Sequence, residues 1–322
     1  MSTFRLLLAS LIACFTCSIV FAQQADTYTD TYQVPRTQYG QPDLQGTWAA
    51  FFTTPLERPP GVDLILDDAQ AHDLANVIYA STPDNIDPDI DSFGPPTLAR
   101  VKGENRSSVI VYPEDGQMPF NEAGLELSLW NLMREEALFD HPEQRPKVER
   151  CLESWAFPPM RVIPFYLPNT FVQTRDQIAI ISEDSVPLRT IHMNGYVRPD
   201  AIRTWQGHSV GHWEGDTLVV EITHFRDDDP ARANLGRPVL LSGDARVVER
   251  FTRVSDTELY YEYTVEDEKY YTEPWRGEFS FNLSNQISYE YSCHEGNYSM
   301  VGALRGARVQ ELRASGAFDS TN

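Results

Sequence analysis

Past about residue 150 the chain is patterned in twos. Over 257–266, Leu259, Tyr261, Tyr263 and Val265 alternate with Glu258, Tyr260, Glu262 and Glu266. A period of two sends one face of a strand into a core and the other into water. Short runs rich in Val, Ile, Phe, Tyr and Thr extend this reading to strands near 161–167, 170–175, 177–183, 187–193, 207–213, 217–225, 245–254, 276–283 and 287–293. Glu214-Gly215-Asp216, Ser255-Asp256 and Ser284-Asn285 supply hairpin turns between them. So many strands in succession predict an antiparallel meander that closes into a barrel, because closure removes exposed edges.

The N-terminal part follows a different period. Gly46-Thr47-Trp48 opens a first strand, and 106–112 forms another. A helix is predicted over 67–79, with Asp67 or Asp68 as cap and Ala71, Leu74 and Ile78 on one face. Asn121 caps a second helix running to about residue 139, whose buried side is expected to be Leu125, Leu127, Leu129, Trp130, Leu132 and Met133. A Pro/Asp-rich loop occupies 82–96. The expected architecture is mostly β: one lipocalin-like barrel domain over 46–322, with a helical N-terminal cover over 55–150 and an extended lead-in over 23–45.

Residues 1–22 have the plan of a secretory signal peptide. Arg5 is the positive flank, Leu6 to Phe21 the apolar run, and Val20-Phe21-Ala22 a small-x-small cleavage site. The run is short for a bilayer span, so no integral membrane segment is expected once the leader is removed. The expected location is periplasmic or secreted. A second reading of the leader, Leu11-Ile12-Ala13-Cys14, leaves a lipoprotein anchored at Cys14.

Composition narrows the partners. The chain carries 26 basic and 47 acidic residues, net −21. Such a field repels phosphate backbones and anionic headgroups, so no nucleic acid partner is expected, and the expected barrel cavity points to a small-molecule ligand. Oligomeric state is not legible. Of four cysteines, Cys14 and Cys17 fall in the leader, leaving Cys151 and Cys293. In an oxidising compartment they are expected to form a disulfide, the alternative being a buried or catalytic thiol at Cys293 beside His294. A loop of this length stabilises by about 4–5 kcal/mol in the chain-entropy account.

Two constellations could carry chemistry. His208, His212 and Glu214 share one strand face, yet residues four apart on a strand lie about 13 Å apart, too far for one metal ion without a bend. They read as a polar face with His208 and His212 as ligand-binding candidates, and no metal is expected. Ser292-Cys293-His294-Glu295-Gly296-Asn297-Tyr298 ends the last predicted strand and turns at Gly296. It would bring His294, Glu295 and Tyr298 to a barrel mouth, imidazole and carboxylate being the usual proton-transfer pair near neutral pH; alternatively it is a capping turn. His192 and Arg150 join the catalytic set, and Tyr289, Tyr291 and Trp205 the ligand-binding set. The chain has no Gly-x-Ser-x-Gly elbow, no His-Glu-x-x-His helix, no phosphate loop and no Cys-x-x-Cys pair, and no cofactor is expected.

Pro42-Asp-Leu-Gln-Gly-Thr-Trp48, Gly211-His-Trp-Glu-Gly-Asp-Thr-Leu-Val-Val-Glu221, Val248-Glu-Arg-Phe-Thr-Arg253 and Cys293-His-Glu-Gly-Asn-Tyr-Ser299 together resemble a large family of exported bacterial proteins. The resemblance spans most of the chain beyond the leader. It implies export and a single domain and carries no activity over. The Gly-Thr-Trp start before a meander is also similar to lipocalin-type barrels, which are far shorter. The expected function is cofactor-independent acid–base chemistry (an isomerase, lyase, cyclase or hydrolase) on a partly apolar molecule held in the barrel cavity, with His294 as acid or base. The alternatives are a non-catalytic carrier of a hydrophobic ligand and a structural protein of the envelope.

Overall fold

The computed structural model describes residues 32–80, 97–162, 167–184, 188–234 and 236–316. The leader with Cys14 and Cys17, the lead-in up to residue 31 and the loop 82–96 lie outside the described residues. In chain order the elements are β1 (Gly46–Ala49), β2 (Ile65–Leu66), α1 (Asp68–Ala80), β3 (Ala99–Val101), β4 (Glu104–Arg106), β5 (Ile110–Tyr112) and α2 (Glu122–Ala137). There follow β6 (Asn169–Gln173), β7 (Gln177–Ser182), β8 (Arg189–His192), β9 (His208–Glu214), β10 (Thr217–Thr223), β11 (Ala231–Arg232) and β12 (Val239–Leu240). The last are β13 (Arg246–Arg253), β14 (Glu258–Glu266), β15 (Trp275–Leu283) and α3 (Tyr298–Ala314).

Nine strands close into the expected lipocalin-like barrel in the order β1, β6, β7, β8, β9, β10, β13, β14, β15, with β1 pairing back onto β15. β5 lies against the other end of β15, while β2, β4 and β3 make a small separate sheet beside α1. A ring of strands that alternate in direction closes only when their number is even. With nine, one neighbouring pair must run the same way, and that pair is β8 and β9. The other barrel pairings are antiparallel. A parallel pair cannot be joined by a tight turn, so residues 193–207 cross back along the outside of the wall.

The alternation read from 257–266 is the alternation observed: Leu259, Tyr261, Tyr263 and Val265 point inward and are buried. The turns at Gly215 and at Ser255-Asp256 fall between β9 and β10 and between β13 and β14. The inward side chains fill the axis. Tyr261 stacks within 4.9 Å of both Phe251 and Phe279, and Phe279 within 4.9 Å of Phe281. Phe157 and Met160 are buried with them, and the Met160 amide donates to the Tyr261 hydroxyl at 2.8 Å. Arg189 and Glu249, both buried, form an ion pair inside the barrel, completed by a 2.6 Å bond from the Tyr261 hydroxyl to Glu249. Among the described residues, the axis of the expected barrel cavity is therefore occupied by aromatic rings and a buried ion pair, with Arg189 Nε buried without a hydrogen-bond partner.

Three sequence expectations need correcting. The helix capped by Asn121 forms, and Leu127 packs half-buried against the core with Leu132 also half-buried, but the rest of its apolar side faces out. Leu125, Leu129, Trp130 and Met133 are 42–53 % exposed, while Gly124, Ser128, Asn131 and Arg134 face inward. Docking decides the face. The Asn121 amide donates to the Tyr270 carbonyl, its side chain donates to the Glu268 and Lys269 carbonyls, and its Oδ1 caps Gly124. A Cβ on Gly124 would come within 2.1 Å of the Tyr270 oxygen, so only the glycine side of α2 can approach that loop. Second, 287–293 is not a strand and the turn at Ser284-Asn285 joins no hairpin. Along β15 the neighbours are already β14, β1 and β5, so a further strand finds no edge. Arg161 and Val162 are likewise outside any strand, and 163–166 lie outside the described residues.

Candidate functional site

The residues expected at a barrel rim do not assemble there. Cys151 and Cys293 do form the expected disulfide, with Cα atoms 5.8 Å apart. It draws Arg150 toward the His294 segment, and Asn297 fastens that segment with a 2.9 Å bond to the Glu149 carbonyl. Yet His294 and Glu295 are exposed, Tyr298 is 82 % exposed on the first turn of α3, and Tyr289 and Tyr291 point into solvent rather than lining the barrel. Asn297 caps α3 through Gly296-Asn297, which is the capping alternative. Trp205 is held between Arg226 and Lys147, with its carbonyl accepting from the buried Arg232, and serves packing. His212 stands exposed on the outer wall beside Glu214 at 3.3 Å, and Glu214 is held by Arg250 at 2.8 Å. The expected polar strand face is thus observed, with His208 and His212 separated along it.

His192 and His208 do come together, at the parallel seam. Arg189 and Ile191 of β8 point inward, as do Ser209 and Gly211 of β9, so His192 and His208 project outward side by side. Their ring centroids are 5.1 Å apart. The crossover then roofs them. Tyr196 places its ring 5.0 Å from His192 and 5.5 Å from His208, and its carbonyl accepts from His208 Nε2 at 2.9 Å. The roof is stitched to the strand exit: the Thr204 amide donates to the His224 carbonyl and the Arg226 amide to the Thr204 carbonyl, both at 3.1 Å. Gly207 (φ +69°) makes the final bend, and a Cβ there would meet the Thr223 carbonyl at 2.7 Å.

A third imidazole joins from just past the end of β10. His224 (φ +61°) lies 5.8 Å from His208, with Nε2 against Asp200 at 3.2 Å and Nδ1 against the Thr223 hydroxyl at 2.7 Å. The sequence reading passed it over, although a signal was there. A turn at Gly215 pairs Glu214 with Thr217 and, counted back, His208 with Thr223, which places His224 beside His208.

Beneath the roof lies a cleft of about 250 Å³ lined by Gln177, Thr190, His192, Arg198, His208 and Ser209. Arg198 hydrogen-bonds the Thr204 hydroxyl at 3.2 Å. Partial burial, and then the nearby guanidinium of Arg198, hold His192 below the ordinary imidazole value. Burial also lowers His208, opposed by its bond to the Tyr196 carbonyl and assisted by Arg198, His192 and His224. Both rings are therefore neutral at pH 7. A carbonyl only accepts, so His208 carries its proton on Nε2 and leaves Nδ1 as the basic nitrogen. The His192 ring makes no hydrogen bond among the described residues. Among those residues, too, no three His, Cys, Asp or Glu side chains are arranged to hold a metal ion, and no helix is long and apolar enough to cross a membrane.

Two neutral bases beside a fixed cation, in a polar cleft, can take a proton from carbon or oxygen and stabilise the anion that remains. No family model, curated protein or solved structure matches this chain.

Proposed function

We propose that the chain is an exported enzyme of acid–base type acting at the β8–β9 seam on a small polar substrate bearing a carbonyl or carboxylate. One observation carries this reading: His192 and His208, both held neutral, share a cleft of about 250 Å³ with the guanidinium of Arg198. His192, with no competing hydrogen bond, is the base. Arg198 anchors the carboxylate or the oxygen on which negative charge develops. The His192 imidazolium so formed returns the proton, while His208, its own Nε2 proton held by the Tyr196 carbonyl, stays neutral beside it. The lining favours a polar substrate over the partly apolar one expected from a barrel cavity, since among the described residues Leu188 is the single large apolar side chain on it. Export to the periplasm or beyond is supported by the leader pattern and by the disulfide.

The test is proton exchange. Protein incubated in D2O with a panel of small 2-oxo and 2-hydroxy acids is followed by proton NMR at the carbon next to the carboxylate or carbonyl. Exchange is expected with a subset of the panel, falling about 100-fold or more in His192→Asn. If no acid exchanges, or His192→Asn exchanges as fast as the parent, the reading is overturned.

A further inference from the structure

Helix α2 buries the wrong side for a monomer. Its inward face is Gly124, Ser128, Asn131 and Arg134 with Leu127 alone packing against the core, and the Ser128 hydroxyl and Asn131 Oδ1 are buried and lack hydrogen-bond partners among the described residues. Its outward face is the stripe Leu125, Leu129, Trp130 and Met133, flanked by exposed Glu122 and Glu126, which form no ion pair among the described residues. Leaving that stripe in water while burying polar groups is unfavourable on both counts, and contiguous apolar patches of this kind mark contact surfaces.

The complementary surface belongs to the same chain. Helix α3 has seventeen residues and none of them is buried. It holds Arg305, Arg308 and Arg313 against Glu311 alone, a local excess of positive charge on a chain of net −21. Its outward stripe runs Tyr298, Val301, Arg305, Arg308 and Leu312 at helical spacing, mixing apolar tips with guanidinium groups. Arg305 has no carboxylate partner among the described residues. The two helices lie on one side of the molecule, since Arg308 reaches Asp140, just beyond the end of α2, at 2.9 Å.

We propose that this side is the interface of a two-fold homodimer in which α3 of each copy lies along the apolar stripe of α2 of the other. The exchange is reciprocal, as a two-fold axis requires, and it seats Arg305 of one copy between Glu122 and Glu126 of its partner. Apolar contact supplies most of the adhesion, while the charges fix the direction in which the helices pair.

Light scattering on the purified full chain, with circular dichroism as the folding control, tests this. The parent is expected to have twice the chain mass at about 100 µM and to dissociate on dilution. Leu129→Glu combined with Met133→Glu replaces exposed side chains, so it should keep the parent spectrum and give a monomer. Glu126→Arg should weaken the dimer about tenfold or more, and adding Arg305→Glu should restore it. A parent that stays monomeric at the highest concentration overturns the proposal. So does a dimer indifferent to the double glutamate variant, or a monomer that binds an added basic amphipathic peptide along α2.

Discussion

On the barrel axis, Arg189, Glu249 and Tyr261 are buried together and bonded to one another; on the outer wall, His192, His208 and Arg198 are covered by a crossover but open to a cleft. Both groups are polar, the axis group fully buried, the seam group with His208 buried and His192 and Arg198 half-buried. The axis group is closed, its charges matched and its space filled. The seam group keeps a ring without hydrogen bonds and a cation next to room for a ligand. Polarity under cover is thus not a signature of chemistry. What separates the seam from the axis is accessible volume next to the unspent bonding capacity; Arg189 Nε, buried without a partner on the axis, has no such room beside it.

Substitutions can break this contrast. The largest effect is expected on the axis: Glu249→Ala strands the Arg189 guanidinium in the core and should cost about 3–5 kcal/mol, read from urea unfolding. A cost near zero would mean that the pair is solvated and the axis open. Next is the roof, where Gly207→Ala forces a side chain into a positive-φ bend against the Thr223 carbonyl and should cost about 1–3 kcal/mol, with any proton exchange lost in parallel. A smaller effect comes from pH. The His208 value is lowered in the folded chain, so on acidification the unfolded chain takes up its proton first. The stability this contributes is complete above about pH 6.5 and declines as pH falls from there toward the folded value. The melting temperature should drop over that window, and the drop should shrink in His208→Gln. The smallest change in stability is expected for His192→Asn, within about 0.5 kcal/mol, because that ring makes no hydrogen bond among the described residues. A large loss of stability in this variant would move the seam into the same class as the axis.

The barrel was legible because its information is local. Alternation over 257–266 and the turns at Gly215 and Ser255-Asp256 fix strand faces and pairings without knowledge of distant residues. The errors arose where a partner decides. The segment 287–293 alternates like a strand, but no unoccupied edge of β15 is there to receive it, so Tyr289 and Tyr291 point outward and His294 never reaches a rim. The stripe on α2 has the right period and faces the other way, because one glycine meeting one carbonyl outweighs four large apolar side chains in setting the docked face. At the site, His192 and His208 were both nominated, but for different places. Their meeting depends on β8 and β9 running parallel, a property of the closed ring as a whole. Arg198 is brought in by the same crossover, from a loop position with no periodicity to announce it, whereas His224 follows from the register of β9 and β10.

An odd strand count also constrains how such a protein can change. Duplicating or deleting a hairpin alters the number by two, so parity and the crossover with its roof survive. Losing or gaining a single strand would let every neighbour alternate, and the seam that gathers the imidazoles would have no reason to exist. Descent by whole hairpins therefore preserves the cleft while the circumference varies, whereas a one-strand change would erase it even with every histidine retained.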